Sequence, residues 1–198
     1  MKKDIFSTSI FVIAGRVFGF LIPFAIAAVF GLNEKTDAFF FAYGIILLIQ
    51  MVLGNILEVA VVPFITELKE QKEALQKFVG GILLRSTFIL TGVSLSLILI
   101  FQFILKYFIH FNPETFHLSF IFLLEMLPAV FFIAWTSTLN GVLNAEKRFR
   151  VPAFSPAFRS LIVLAALFIC RDQWGMHVVA LGYSVGEALR FFISWFHY

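Results

Sequence analysis

Arg16, Glu58, Arg159 and the pair Glu187/Arg190 stand inside long apolar runs of this chain. An ionisable side chain deep in a membrane-crossing segment costs about 2.5–3.5 kcal/mol on insertion scales, so each needs a partner or a water-filled cavity. Arg16 lies between Gly15 and Gly19, the small-xxx-small spacing that lets helices approach closely. Pro23, on the same face, leaves the carbonyl of Gly19 without its usual donor. Two readings of this cationic face stay open: an anion-binding wall of a central cavity, or a partner that neutralises one intramembrane acid. Gln50, Gly54 and Glu58 follow at i, i+4 and i+8, with Asn55 beside them, which sets polar groups along one helical face. A lipid-facing surface would not tolerate that stripe, so it lines a wet interior or joins a dry network with Arg16 or Arg159. Glu58 is also a candidate carrier of a coupling proton.

Arg159 stands four residues after Ser155 and either snorkels to lipid headgroup phosphate or faces the cavity. Glu187 and Arg190, at i and i+3, can neutralise each other. Glu125, three residues before Pro128, pairs an acid with a kink, and Arg85 is placed to snorkel. The candidate substrate-binding set is therefore Arg16, Gln50, Asn55, Glu58 and Arg159. His110, His117 and His177 share no metal-ligand spacing, so neither a metal nor another cofactor is expected. No P-loop, aspartate-rich prenyl-diphosphate pattern or ordered Ser/His/Asp grouping occurs, so the chain is not expected to be an enzyme.

The elements that must hold these groups follow from composition. Over 198 residues, 61% are hydrophobic and 14% charged, with a mean hydropathy of +0.96. That excludes disorder, and the lone Cys170 excludes a disulfide scaffold. Continuous apolar runs, rather than short alternating segments, exclude an outer-membrane barrel. About 20 apolar residues make one helical crossing. The chain reads as one all-α membrane domain, 1–198, with six transmembrane helices at about 5–30, 38–65, 78–107, 116–143, 152–169 and 176–196. The first two, joined by a short connection ending in Thr36-Asp37, are expected to form a tight hairpin. Residues 67–77 are hydrophilic helix formers and read as an amphiphilic cytoplasmic surface segment.

Charge sets the orientation. With the N-terminus inside, the cytoplasmic side holds Lys2, Lys3, Lys69, Lys72, Lys77, Lys147, Arg148 and Arg150, against Lys35, Lys106 and Arg171 outside. Both termini are then cytoplasmic. Lys2-Lys3 and the run to Ala25-Ile26-Ala27 resemble a secretory signal, but the run is longer than a usual signal core and contains Arg16, so it reads as a retained span. No basic run suits nucleic acid.

Several short motifs occur in order. They are Gly15-Arg16-Val17-Phe18-Gly19-Phe20, Phe30-Gly31, Thr36-Asp37-Ala38-Phe39-Phe40, Val62-Pro63, Leu139-Asn140-Gly141-Val142-Leu143-Asn144, Arg148-Phe149 and Val151-Pro152-Ala153-Phe154-Ser155-Pro156. In this the chain resembles the MurJ/MviN lipid II flippases of the multidrug/oligosaccharidyl-lipid/polysaccharide exporter superfamily. The resemblance implies one lobe of a two-lobe transporter that rocks around a central cavity. It carries an undecaprenyl-linked peptidoglycan precursor from the inner to the outer leaflet of the bacterial cytoplasmic membrane. The chain corresponds to a truncated amino-terminal lobe, to be completed by a second lobe or a dimer partner. Its expected partners are the lipid-linked precursor and membrane lipids. Two places depart from the family: Ile22-Pro23 stands where an Arg-Asp pair is usual, and Ile49-Gln50 where arginines are usual. Arg159 or Arg190 is then the candidate to supply the missing positive charge. The alternatives are an exporter of another lipid-linked glycan or of drugs, and a non-transporting scaffold or pseudogene product.

Overall fold

The computed structural model describes the backbone of residues 2–68, 70–105, 107 and 111–198, and the side chains of these except residues 2–11, 14, 53, 55, 104 and 105. The candidate Asn55 side chain, and Lys2, Lys3, Lys69, Lys106 and His110, therefore lie outside the described set.

Six helical stretches follow one another: α1 (Lys2–Phe30), α2 (Glu34–Leu68), α3 (Lys72–Ile100, running on through Phe101–Leu105), α4 (Pro113–Ala145), α5 (Arg150–Trp174) and α6 (His177–His197). Among the described residues, α2, α3, α4 and α5 are long and apolar enough to cross a bilayer, and Gly15–Phe30 of α1 is a shorter apolar stretch. Local chemistry fixes the ends. Gly31 leaves α1 at φ +75, and Asn33 caps α2. Its side-chain oxygen accepts from the backbone of Lys35 (2.9 Å) and Thr36 (3.2 Å), while Thr36 Oγ1 accepts from Asn33 N (2.9 Å). Thr36 is thus the third residue of a reciprocal capping box. Asn112 caps α4 by accepting from Thr115 N at 2.7 Å, with Pro113 opening the helix. α4 closes in a Schellman turn: Arg148 N donates to Leu143 O and Lys147 N to Asn144 O, around Lys147 at φ 62.

Two features differ from the sequence reading. The hydrophilic segment 67–77 is divided, because α2 ends at Leu68 and α3 begins at Lys72, so residues 72–77 are the opening turns of a long helix. α1 and α2 share a short connection yet touch each other little; α1 lies along α5 instead. The residues of α1 explain that choice. Gly15 faces Ala157 (3.3 Å from a built Cβ to the backbone nitrogen) and Gly19 faces Ser160 Oγ (3.6 Å), so α1 can approach α5 closely through small residues.

α4 is the central helix, flanked by α2, α3 and α6, while α5 packs on α6 and α1. Residues 136–143 of α4 are buried without interruption, as a helix surrounded by neighbours requires. Gly141 is the tightest point. A Cβ there would clash with Val61 Cγ2 and lie 3.0 Å from the backbone oxygen of Glu58. We expect Gly141→Ala to push α2 from α4 and to cost about 1–3 kcal/mol, as overpacking does. Thermal unfolding in detergent, followed by helical circular dichroism, measures it; an unchanged midpoint would show that Val61 yields freely. Outside the core, large apolar groups such as Phe20, Phe24, Val59, Phe88 and Ile89 are exposed, in keeping with a lipid-facing surface.

Candidate functional site

α2 is not a regular helix throughout. Residues Gln50–Gly54 form a π-helical turn, which inserts one residue into the α-helical register. The expected stripe of Gln50, Gly54 and Glu58 is re-aimed by it. Gln50 Oε1 accepts from the hydroxyl of Tyr183 on α6 at 2.7 Å. Gly54 sits against Ser137 of α4, whose Oγ would lie 3.3 Å from a Cβ. Glu58 Oε1 accepts from Asn144 Nδ2 of α4 at 2.8 Å. Glu58 then forms one wall of an open cleft of about 540 Å³ with Val59, Val62, Pro63 and Asn144.

Behind this helix lies a buried ionic cluster between α5 and α6. Glu187, with no exposed surface, accepts from Arg159 Nη1 at 2.8 Å and from Arg190 Nη1 at 3.3 Å. Arg190 Nε also reaches Ser155 Oγ at 3.3 Å. The Arg159 guanidinium lies 5.3 Å from the centroid of the Tyr183 ring, a cation–π contact. Tyr183 in turn meets the edge of Tyr43 with ring centroids 5.4 Å apart. Gly186 makes the arrangement possible, because a Cβ there would fall 2.9 Å from Arg159 Cγ and 3.2 Å from its backbone oxygen. Glu58 is not among the ion pairs of this cluster; its hydrogen-bond partner is Asn144. Arg159 is therefore turned inward to Glu187, not outward to headgroups. Neither Arg159 nor Arg190 is free to supply the positive charge missing at Ile22-Pro23 and Ile49-Gln50. Ile22 itself is a core residue, and Gln50 is committed to Tyr183.

Arg16 is different. It is exposed on α1, beside the line where Gly15 and Gly19 meet α5. It has no hydrogen-bond or ion-pair partner among the described residues. Its neighbours Val17 and Phe20 are exposed apolar groups. Of the other span residues, Arg85 is exposed on α3, and Glu125 on α4 is bonded to His177 Nδ1 at 2.6 Å. The proline-and-acid signal at Glu125 gave no hint of that histidine, because the two are 52 residues apart and meet only when α4 and α6 pack.

The exposed Arg16 thus stands apart from Arg159 and Arg190, which are ion-paired with Glu187. A family model described as lipid II flippase MurJ matches residues 26–197. The chain belongs to the MurJ family. The lipid II flippase MurJ of Burkholderia cenocepacia is 28% identical over 200 residues, covering 97% of this chain and 39% of that protein. The probable lipid II flippase MurJ of Buchnera aphidicola (Schizaphis graminum) is 27% identical over 191 residues, covering 92% and 37%. Among solved structures, a lipid II flippase MurJ in an inward closed conformation superposes with a TM-score of 0.79 at 24% identity, over 93% of this chain and 40% of that one. A MOP superfamily transporter from Pyrococcus furiosus, described as having a binding pocket of reversed polarity, superposes with a TM-score of 0.78 at 18% identity, over 100% and 45%. These likenesses establish the fold, which is the all-α fold of MurJ and other MOP transporters. This MurJ-family chain is a multi-pass bacterial membrane protein, and it spans about 40% of the length of the curated relatives it matches.

Proposed function

We propose that the chain works as one lobe of a lipid II flippase, moving an undecaprenyl-linked peptidoglycan precursor from the inner to the outer leaflet of the bacterial cytoplasmic membrane by alternating access. The reading is supported by membership of the MurJ family together with one observation: Arg16 is exposed within an apolar span and has no partner among the described residues. A cation in that setting has a reason to persist if an anion visits it, and the precursor carries a diphosphate. Both chain ends face the cytoplasm, and a second lobe or a dimer partner closes the cavity. Arg16 contacts the headgroup, Glu58 lines the approach along α2, and Gln50 and Arg159 hold α2 and α5 in register behind it; Asn55, next to the π turn in sequence, is a further candidate for headgroup contact. Ion gradients or the membrane potential supply the energy.

The test is outer-leaflet exposure of the precursor in cells depleted of their own flippase and supplied with this protein. Restored exposure is the expected result. The uncharged Ile22-Pro23 and Ile49-Gln50 favour a second reading, an exporter of another lipid-linked glycan whose headgroup needs less positive charge. That reading predicts no restored exposure, with transfer of a different lipid-linked glycan instead.

A further inference from the structure

A cavity of about 630 Å³ opens at the end of the bundle where α3 begins, α4 turns into α5 and α6 finishes. It lies some distance from Arg16 and the ionic cluster and plays no part in the function proposed above. One side is polar. Lys72 and Arg148 are exposed at its rim. Arg148 is held there by Nη1, which donates to the carbonyl of His197 at 2.8 Å, and by Nε, which ion-pairs with Glu146 at 3.4 Å. Its Nη2 has no hydrogen bond among the described residues. Glu146, also at the rim, offsets one of these two positive charges. Tyr198 also lines the cavity, with its hydroxyl buried and without a hydrogen bond among the described residues.

The other side is apolar and runs up the helices. Leu75, Val79 and Leu83 line it from α3, and Trp195 faces them from α6. Gly80 is part of this wall, and a Cβ built there meets nothing within 4 Å. A mouth with two exposed basic side chains that continues into an apolar channel beside a tryptophan suits an amphiphile with an anionic head. The charge pattern places this end of the bundle at the cytoplasmic face, where anionic lipids concentrate.

We propose that this cavity is a binding site for an anionic phospholipid of the inner leaflet. Lys72 and Arg148 take the phosphate, and one acyl chain lies along Leu83 and Trp195 over Gly80. The site borders the opening of α3, the α4–α5 turn and the end of α6, so a bound lipid contacts all three. The assignment rests on the orientation proposed above, but not on flipping, and its test reads lipid retention alone.

The experiment is native mass spectrometry of the purified full chain released from detergent, with phosphatidylglycerol or phosphatidylcholine of identical acyl chains added in turn. We expect phosphatidylglycerol to be retained about tenfold over phosphatidylcholine, the scale set by two basic residues near a membrane surface. Lys72→Gln/Arg148→Gln, which alters exposed side chains only, should bring the two lipids level. Gly80→Trp should fill the channel and reduce phosphatidylglycerol to the phosphatidylcholine level while helical content is unchanged. Equal retention of the two lipids by the unaltered protein would overturn the proposal. So would a preference that survives the double substitution, which decides the matter even if Gly80→Trp fails to fold. Glycerol phosphate competing as well as the intact lipid would overturn the lipid assignment in favour of a free phosphate ester.

Discussion

Glu187→Ala leaves Arg159 and Arg190 facing each other without their shared carboxylate, and the protein should lose about 3–5 kcal/mol of stability. The Glu187 side chain has no exposed surface, while the side chains of Arg159 and Arg190 are 13% and 11% exposed, so water can do little to replace it. Glu187→Gln preserves the shape but removes the charge, and should lose most of the same stability. The pairing logic gives a sharper check. Removing Arg159 as well, in Glu187→Leu/Arg159→Met, takes away one of the stranded cations and should recover part of the loss, because replacing an ion pair with apolar groups of similar size is often close to neutral. Thermal unfolding of the purified protein in one detergent, with all variants at equal concentration, reads both effects. A Glu187→Ala variant that melts with the parent would mean that the cluster is wet, and that Arg159 reaches water or headgroup by another path.

The same cluster shows what was and was not legible in the residues. The six helices follow from the hydrophobic runs, and the Glu187/Arg190 pair follows from its i, i+3 spacing, which one helix fixes on its own. Arg159 was harder. Its spacing from Ser155 says only that both lie on one face of α5. Which way that face turns depends on Gly186, whose missing Cβ lets α6 close on Arg159 and deliver Glu187 to it. A glycine in an apolar run signals close approach without naming the partner. The π turn at Gln50–Gly54 was hidden for a related reason. The run Gln50-Met51-Val52-Leu53-Gly54 is as compatible with an α-helix as with the wider turn. Tertiary pairing of Gln50 with Tyr183 and of Glu58 with Asn144 accompanies the extra residue in the register. The hairpin expected from the short α1–α2 connection failed because loop length limits how far two helices can diverge at one end only. The small residues Gly15 and Gly19 then take α1 to α5. Pairs far apart in the chain, such as Glu125 with His177, leave no trace in local spacing at all.

Arg16→Ala should have the opposite character: little change in stability and a large loss of transport. Arg16 is exposed and holds no partner among the described residues, so its removal breaks no contact and strands no buried charge. Surface substitutions of that kind usually change stability by no more than about 0.5 kcal/mol. The proposed role is different in scale. A diphosphate entering a low-dielectric cavity needs compensating charge, and loss of one partner of a desolvated charge pair costs about 2–5 kcal/mol. That corresponds to a fall of roughly 30-fold or more in transfer. Arg16→Lys keeps the charge but not the planar fork of donors, so it should fall between the two. The other spanning arginines bear on the size of the effect. Arg159 and Arg190 are held by Glu187, so neither can swing out to take the place of Arg16. The measurement is outer-leaflet exposure of the precursor in flippase-depleted cells, with the membrane level of each variant determined in parallel. If Arg16→Ala reaches the membrane at the parental level and exposure is also parental, the cationic-cavity role is wrong. The exposed arginine would then serve the lipid surface, and substrate recognition would have to rest on residues outside α1.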